Sequence, residues 1–321
     1  MSAALEAPAR PAGPPAPAAP SESRADRSFR WGLCLAAGAV LLLAASVAAQ
    51  LAWNSRLAWA RYGVPFLWTK VWDPVAEDFG AWPFLFGTLY SSFLALAISV
   101  PLGVGAAVFL AELAPRRLSD AATFLIELLA AVPSVVLGLM GVFVLVPAVR
   151  AVEPALGKWL GWLPFFSGPA YGVGMLSAAL ILSVMILPYI TSITRDVLLG
   201  VPRPLKEAML ALGATRWEVV TGVSLPYARS GILGAVFLAL GRALGETMAV
   251  TMLIGNDPKA AWSLFAPGYT MSAVLANEFA EASSDVYLHA LTAIGLTLFA
   301  VTIVINGLAR LMLRRGARGA A

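Results

Sequence analysis

Charge is the scarcest commodity in this chain. Only 12% of its 321 residues are Asp, Glu, Lys or Arg, against roughly 25% in a soluble domain. A full 60% are hydrophobic and the mean hydropathy is +0.80, which excludes a soluble globular fold and predicts an all-α polytopic membrane protein. The one cysteine, Cys34, lies in an apolar run, so no intrachain disulfide is possible. With one histidine, His289, and no Cys/His cluster, neither a transition-metal site nor a nucleophile–histidine–acid set is expected. The phosphate-cradling loop G-x-x-x-x-G-K-[ST] is absent too, because Gly157-Lys158 is followed by Trp159. The chain is expected to be no enzyme and to hold no cofactor. Its basic residues sit at membrane edges rather than in one stripe, which gives nucleic acid no footprint.

What is present is a series of long apolar runs. Residues 1–30 are rich in Ala, Pro and Ser, with Arg10, Arg24, Arg27 and Arg30, and read as a disordered tail. The run 31–53 exceeds the ~20 residues needed to span the hydrocarbon core. A cleaved signal peptide is the competing reading, since Ala48-Ala49-Gln50 resembles a cleavage site; the 30-residue leader favours an uncleaved anchor. Residues 54–82 form an outer loop whose Trp59, Trp68, Trp72 and Trp82, with Trp53 before it, suit the membrane interface and its lipid. Further spans are expected at about 83–112, 121–149, 170–193, 229–254 and 286–313, before a basic tail at 314–321. That makes six transmembrane helices. Of the 22 Lys and Arg, 15 fall on the side of the N-terminal tail, the 114–120 turn, the 194–229 loop and the C-terminal tail; six fall on the other side. The asymmetry places both termini in the cytosol.

Three charged side chains fall inside expected spans, where each costs roughly 2.5–3.5 kcal/mol and calls for a partner or an aqueous cavity. Arg242 and Glu246 are four apart, hence on one helical face and able to pair. Either they are a neutralised pair that fixes packing, or Arg242 meets an anionic solute in a water-filled pathway with Glu246 poising it. Glu127 precedes Pro133 by six residues, in a segment that reads as kinked and partly polar, with Ser134 compensating the carbonyl that proline frees. An interhelical hydrogen bond and a substrate contact are both open to Glu127. Gly103, Gly105, Gly138, Gly141, Gly241 and Gly245 suit close helix packing.

The loop 194–228 holds the longest polar island in the second half of the chain. Pro202 and Pro204 can open a helix, and Leu205, Ala208, Met209 and Leu212 then fall on one face. Gly213 suits the left-handed residue that ends such a helix. Thr215 and Glu218 have capping-box spacing, so a second helix should start at Arg216 and run until Pro226 stops it. An amphipathic hairpin between two spans needs a docking partner.

Glu207-Ala208, Gly213 and Val223-Ser224-Leu225-Pro226 reproduce the spacing E-A-A-x3-G-x9-I-x-L-P, with Met209 and Val223 as apolar replacements. In this the chain resembles the permeases of ABC importers, whose EAA loop seats in a groove of an ATPase subunit. The segments 87–115, 126–141 and 241–256 are further similar to phosphate-specific permeases of the PstC type; the resemblance covers about residues 80–312. It implies a type I ABC importer permease core over 83–313 in the bacterial inner membrane. The implied partners are a PstA-like second permease subunit, a PstB-like ATPase dimer and a PstS-like periplasmic phosphate-binding protein. Glu207, Ala208, Gly213, Trp217, Leu225 and Pro226 would couple to the ATPase. Arg242 and Glu246 match positions associated with phosphate passage, which favours the pathway reading, with Glu127 as a third candidate. The rival readings are a permease for molybdate or sulfate, a proton-coupled anion carrier and a non-transporting scaffold. Against the carrier, the sequence offers no inverted repeat or pair of broken helices.

Overall fold

The computed structural model describes residues 24–318, so residues 1–23 of the tail expected over 1–30 lie outside it, while residues 24–30 are not disordered but form the start of a helix. Two compact units divide between Ala49 and Gln50. Most of α1 (Arg24–Asn54) belongs to the first. Between Asp26 and Ala49 nearly every side chain is exposed, as suits an apolar helix whose solvent is lipid.

The second unit opens with α2 (Arg56–Tyr62), a 3₁₀ turn (Val64–Leu67) and a hairpin of β1 (Trp72–Asp73) and β2 (Asp78–Phe79), with Trp72 paired to Phe79 and Asp73 to Asp78. The loop expected over residues 54–82 is therefore folded, around Phe66, Phe79 and Phe84. Glu77 bridges to Arg61 at 3.1 Å. Hydrogen bonds from Ser284 and then Arg61 hold its carboxyl below the ordinary glutamate range.

The bundle follows with α3 (Trp82–Val108), which a π turn extends to Leu113, then α4 (Arg116–Ala131), α5 (Ser134–Met140) and α6 (Val146–Leu160). Next come α7 (Met175–Leu199), α8 (Arg203–Ala211), α9 (Arg216–Val219) and α10 (Leu225–Leu244). The chain closes with α11 (Met248–Leu253), α12 (Met271–Glu278) and α13 (Asp285–Arg318). Six helices are long and apolar enough to cross a membrane, and α7 is the most buried of them. It packs against α3 and α10. A Cβ on Gly103 would lie 2.9 Å from Ile190 Cγ2, so this glycine sets the approach of α3 to α7.

Three expected spans are displaced. The fourth begins at Met175 and runs to Leu199, since left-handed Gly168 and Gly172 keep the preceding chain irregular. The third is not 121–149: Val132 and Pro133 are both extended, with ψ of 128° and 138°. Proline disfavours the helical conformation in the residue before it, and Val132 takes the extended one, so α4 ends there and the spanning helix is Ser134–Leu160. Glu127 consequently lies on α4, exposed, and not within a span. The fifth span is not 229–254 but Arg216–Leu244, followed by a break at 245–247. Pro226 does not stop the helix that Thr215 starts. The Val220–Ser224 segment is a π turn, and its i→i+5 spacing accommodates the N–H that Pro226 lacks.

The described chain thus contains two interrupted helices, α4/α5 and α10/α11, contrary to the expectation of none. Their short inner segments meet. A Cβ on Gly138 would lie 3.0 Å from Ala249 Cα and one on Gly141 2.7 Å from a Leu253 methyl. Gly105 has open space around it, and Gly241 and Gly245 have only ordinary contacts, so packing explains three of the six glycines. Gly138→Val should overpack this contact and cost about 1–3 kcal/mol, read as a lower thermal midpoint of the purified complex.

Candidate functional site

The break after α10 brings two charged side chains, Arg242 and Glu246, to one cavity. Arg242 occupies the last helical turn; Gly245, Glu246 and Thr247 leave the helix. Because the helix ends between them, Arg242 and Glu246 do not pair as their spacing predicts. No ion pair joins the two among the described residues. The guanidinium carbon of Arg242 instead lies 4.7 Å from the centre of the Tyr189 ring, on α7, and its Nε is buried without a hydrogen-bond partner. A cation over an aromatic face gains ~0.5–2 kcal/mol, so Tyr189 keeps the charge in place without consuming its donors.

Glu246 is 9% exposed. Its carboxylate accepts one long bond from the Ala249 N–H, at 3.4 Å, and its carbonyl accepts one from Ser272 Oγ on α12, at 2.7 Å. Arg242 and Glu246 line one cavity of ≈ 510 Å³ with Tyr189, Ile193, Leu238, Gly241 and Gly245. Glu127 is not among its lining residues. An arginine keeps its charge at any working pH and offers a planar fork that matches an oxyanion. The carboxylate in the same cavity opposes tight retention of an anion. A pathway needs that balance, since a solute must leave as readily as it enters.

At the other end of the Arg216–Leu244 helix sits the hairpin of α8 and α9. Gly213, at φ +87°, closes α8: the Ala214 N–H donates to the Met209 carbonyl at 3.2 Å and the Gly213 N–H to the Leu210 carbonyl at 2.9 Å. These are the two bonds of a Schellman motif. Thr215 and Glu218 form the capping box, Thr215 N–H donating to Glu218 Oε2 at 2.6 Å and Glu218 N–H to Thr215 Oγ1 at 3.3 Å. The hairpin therefore has a fixed shape and leaves its apolar side chains outside. Leu205, Ala208, Leu212 and Trp217 are all exposed, Leu212 at 86%, and Glu207 stands beside them without an ion pair among the described residues. Met209 alone of the stripe turns inward, near Gly222. Leu225 and Pro226 lie beyond the hairpin, in the first turn of α10.

Two features escaped the sequence. Glu153, 1% exposed, accepts the Gly172 N–H at 2.8 Å; with the third span ended at 149, it counted as a loop residue. Glu278 accepts from both Trp72 Nε1, at 2.9 Å, and Tyr287 Oη, at 2.6 Å, which binds the β1–β2 hairpin to α12 and α13. Partners so far apart in sequence give no spacing signal.

A family model described as "Binding-protein-dependent transport system inner membrane component" matches residues 99–317. A curated phosphate transport system permease protein PstC from Mesorhizobium japonicum is 48% identical over 281 residues, covering 86% of each chain. One of the same name from Xylella fastidiosa is 44% identical over 302 residues, covering 92% of this chain and 93% of its own. Among solved structures, a bacterial ABC transporter for import of the polysaccharide alginate matches with a TM-score of 0.53 at 21% identity, over 88% of this chain and 98% of its own. The MetNI methionine ABC transporter matches with a TM-score of 0.51 at 19% identity, over 79% and 98%. These two likenesses show the fold.

Proposed function

We propose that this chain, which belongs to the family of binding-protein-dependent transport system inner membrane components, is the permease subunit of an ATP-driven phosphate importer. It is a multi-pass inner-membrane protein and a transporter subunit, not an enzyme. ATP hydrolysis falls to a separate chain, and the α8–α9 hairpin is where that ATPase docks. The excess of Lys and Arg on the hairpin's side supports a cytosolic hairpin and cytosolic termini. A second permease subunit completes the pathway, and a phosphate-loaded binding protein docks on the outer face.

The observation that carries the substrate reading is the Arg242 cavity, with its free Nε and its uncompensated fork, in a chain whose relatives at 44–48% identity are named as phosphate permeases. Transport proceeds by alternating access. Closure of the ATPase dimer displaces the hairpin, the bundle opens outward, and phosphate passes the break that bears Arg242. Glu246 sits beside that passage, and exposed Glu127 is the weakest of the three candidates. The test is purification of the native complex followed by identification of the solute held by its binding protein. Orthophosphate is expected; molybdate or sulfate would overturn the substrate assignment.

A further inference from the structure

The α8 helix has little to hold it in place. It buries no residue of its own, and its chain connections lead only to α7 and α9. Besides Met209, which reaches Gly222, Lys206 ties it to the spans. Lys206 Nζ lies 2.7 Å from Glu112 Oε1, in the π turn that ends the second span, and also donates to the Leu198 carbonyl at 3.4 Å, in the last turn of α7. Leu198 is fully buried with Ala107, Val108 and Val220. A single ammonium therefore gathers the ends of α3 and α7 onto α8.

We infer that Lys206 and Glu112 are a positioning pair that carries displacement of the docking hairpin into the second span. The inference rests on the reading of the hairpin as the ATPase site. An exposed ion pair transmits little, because ordering two long side chains offsets the attraction. This pair is different: only 19% of the Lys206 side chain and 11% of the Glu112 side chain are exposed. Charge-assisted bonds in such surroundings are short and strong. A cavity of ≈ 140 Å³ adjoins the pair, lined also by Leu210, Arg216 and Val219. It gives the carboxylate room to follow α8, with the Arg216 cation lining the same space. Without the pair, a push on α8 would reach α3 only indirectly, through the packing of α7 and α10 on it.

The full complex, reconstituted with its second permease, ATPase and binding protein in liposomes, tests this by the ratio of phosphate imported to ATP hydrolysed. That ratio does not depend on how much complex assembles. Lys206→Met and Glu112→Gln should each lower it about tenfold, by cutting the coupling between hairpin and span. Basal ATP hydrolysis should persist, because neither residue belongs to the docking face. The exchange Lys206→Glu with Glu112→Lys should recover most of the ratio. An unchanged ratio in the single variants, or a double variant no better than either, would overturn the pairing. Failure of the unaltered chain to retain the ATPase would instead sink the docking reading on which it rests.

Discussion

Replacing Arg242 by alanine should abolish phosphate uptake in a complex that still assembles and still hydrolyses ATP. Removing one charged partner from a desolvated anion contact costs about 2–5 kcal/mol, which is a loss of about 30-fold to several thousandfold. The fold should survive. Among the described residues Arg242 has no ion pair to strand, and its aromatic neighbour Tyr189 loses only a modest cation–ring attraction. Arg242→Lys should fall between wild type and alanine, since lysine restores a point charge without the fork. Radiolabelled phosphate uptake alongside ATPase activity reads both effects. Normal uptake by the alanine variant would remove Arg242 from the pathway and return it to a packing role.

Gly213→Pro should have the second-largest effect, at the other end of the same helix. Proline holds φ near −65° and has no N–H, whereas Gly213 sits at +87° and donates to the Leu210 carbonyl. Both the turn and its bond are lost, about 3 kcal/mol or more of local structure. Gly213→Ala separates these causes: a Cβ there meets nothing within 4 Å, leaving only the left-handed penalty of about 1–2 kcal/mol. Trp217→Glu probes docking without touching the fold, because Trp217 is 59% exposed and lies outside the capping box. The proline and glutamate variants should hydrolyse ATP without proportionate import, and the alanine variant should stay largely coupled. Tight coupling in both of the former would refute the docking role.

The sequence read the hairpin more accurately than the spans, and the reason is locality. Gly213 and the Thr215–Glu218 box act within a few residues, so their spacing announces their geometry. The ends of the third and fifth spans depended on what two prolines do in context. Pro133 broke a helix that was expected only to kink, because Val132 as well as Pro133 is extended. Pro226 broke nothing, because a π turn precedes it. The pairing of Arg242 with Glu246 failed for the same reason: a four-residue spacing implies one face only if the helix continues. Tyr189 was unreadable as a partner because its nearness to Arg242 arises from the packing of α7 on α10, which no local pattern encodes. Glu112 and Lys206, 94 positions apart, were hidden likewise.

The π turn before Pro226 has a mechanical meaning. The helix Arg216–Leu244 has 29 residues, or about 43 Å at about 1.5 Å per residue. A proline in mid-helix ordinarily makes a hinge, and a hinge here would absorb any push in local bending before it reached Arg242. Here the helix runs unbroken from Arg216 through Pro226 to Leu244, and moving as one body it would be a lever. A tilt of about 5° around its midpoint carries the ends about 2 Å in opposite directions over that length. One end bears Trp217 and the other Arg242, so on the proposed docking a small thrust at the hairpin would reach the cavity as a movement of the guanidinium itself, with its sign reversed.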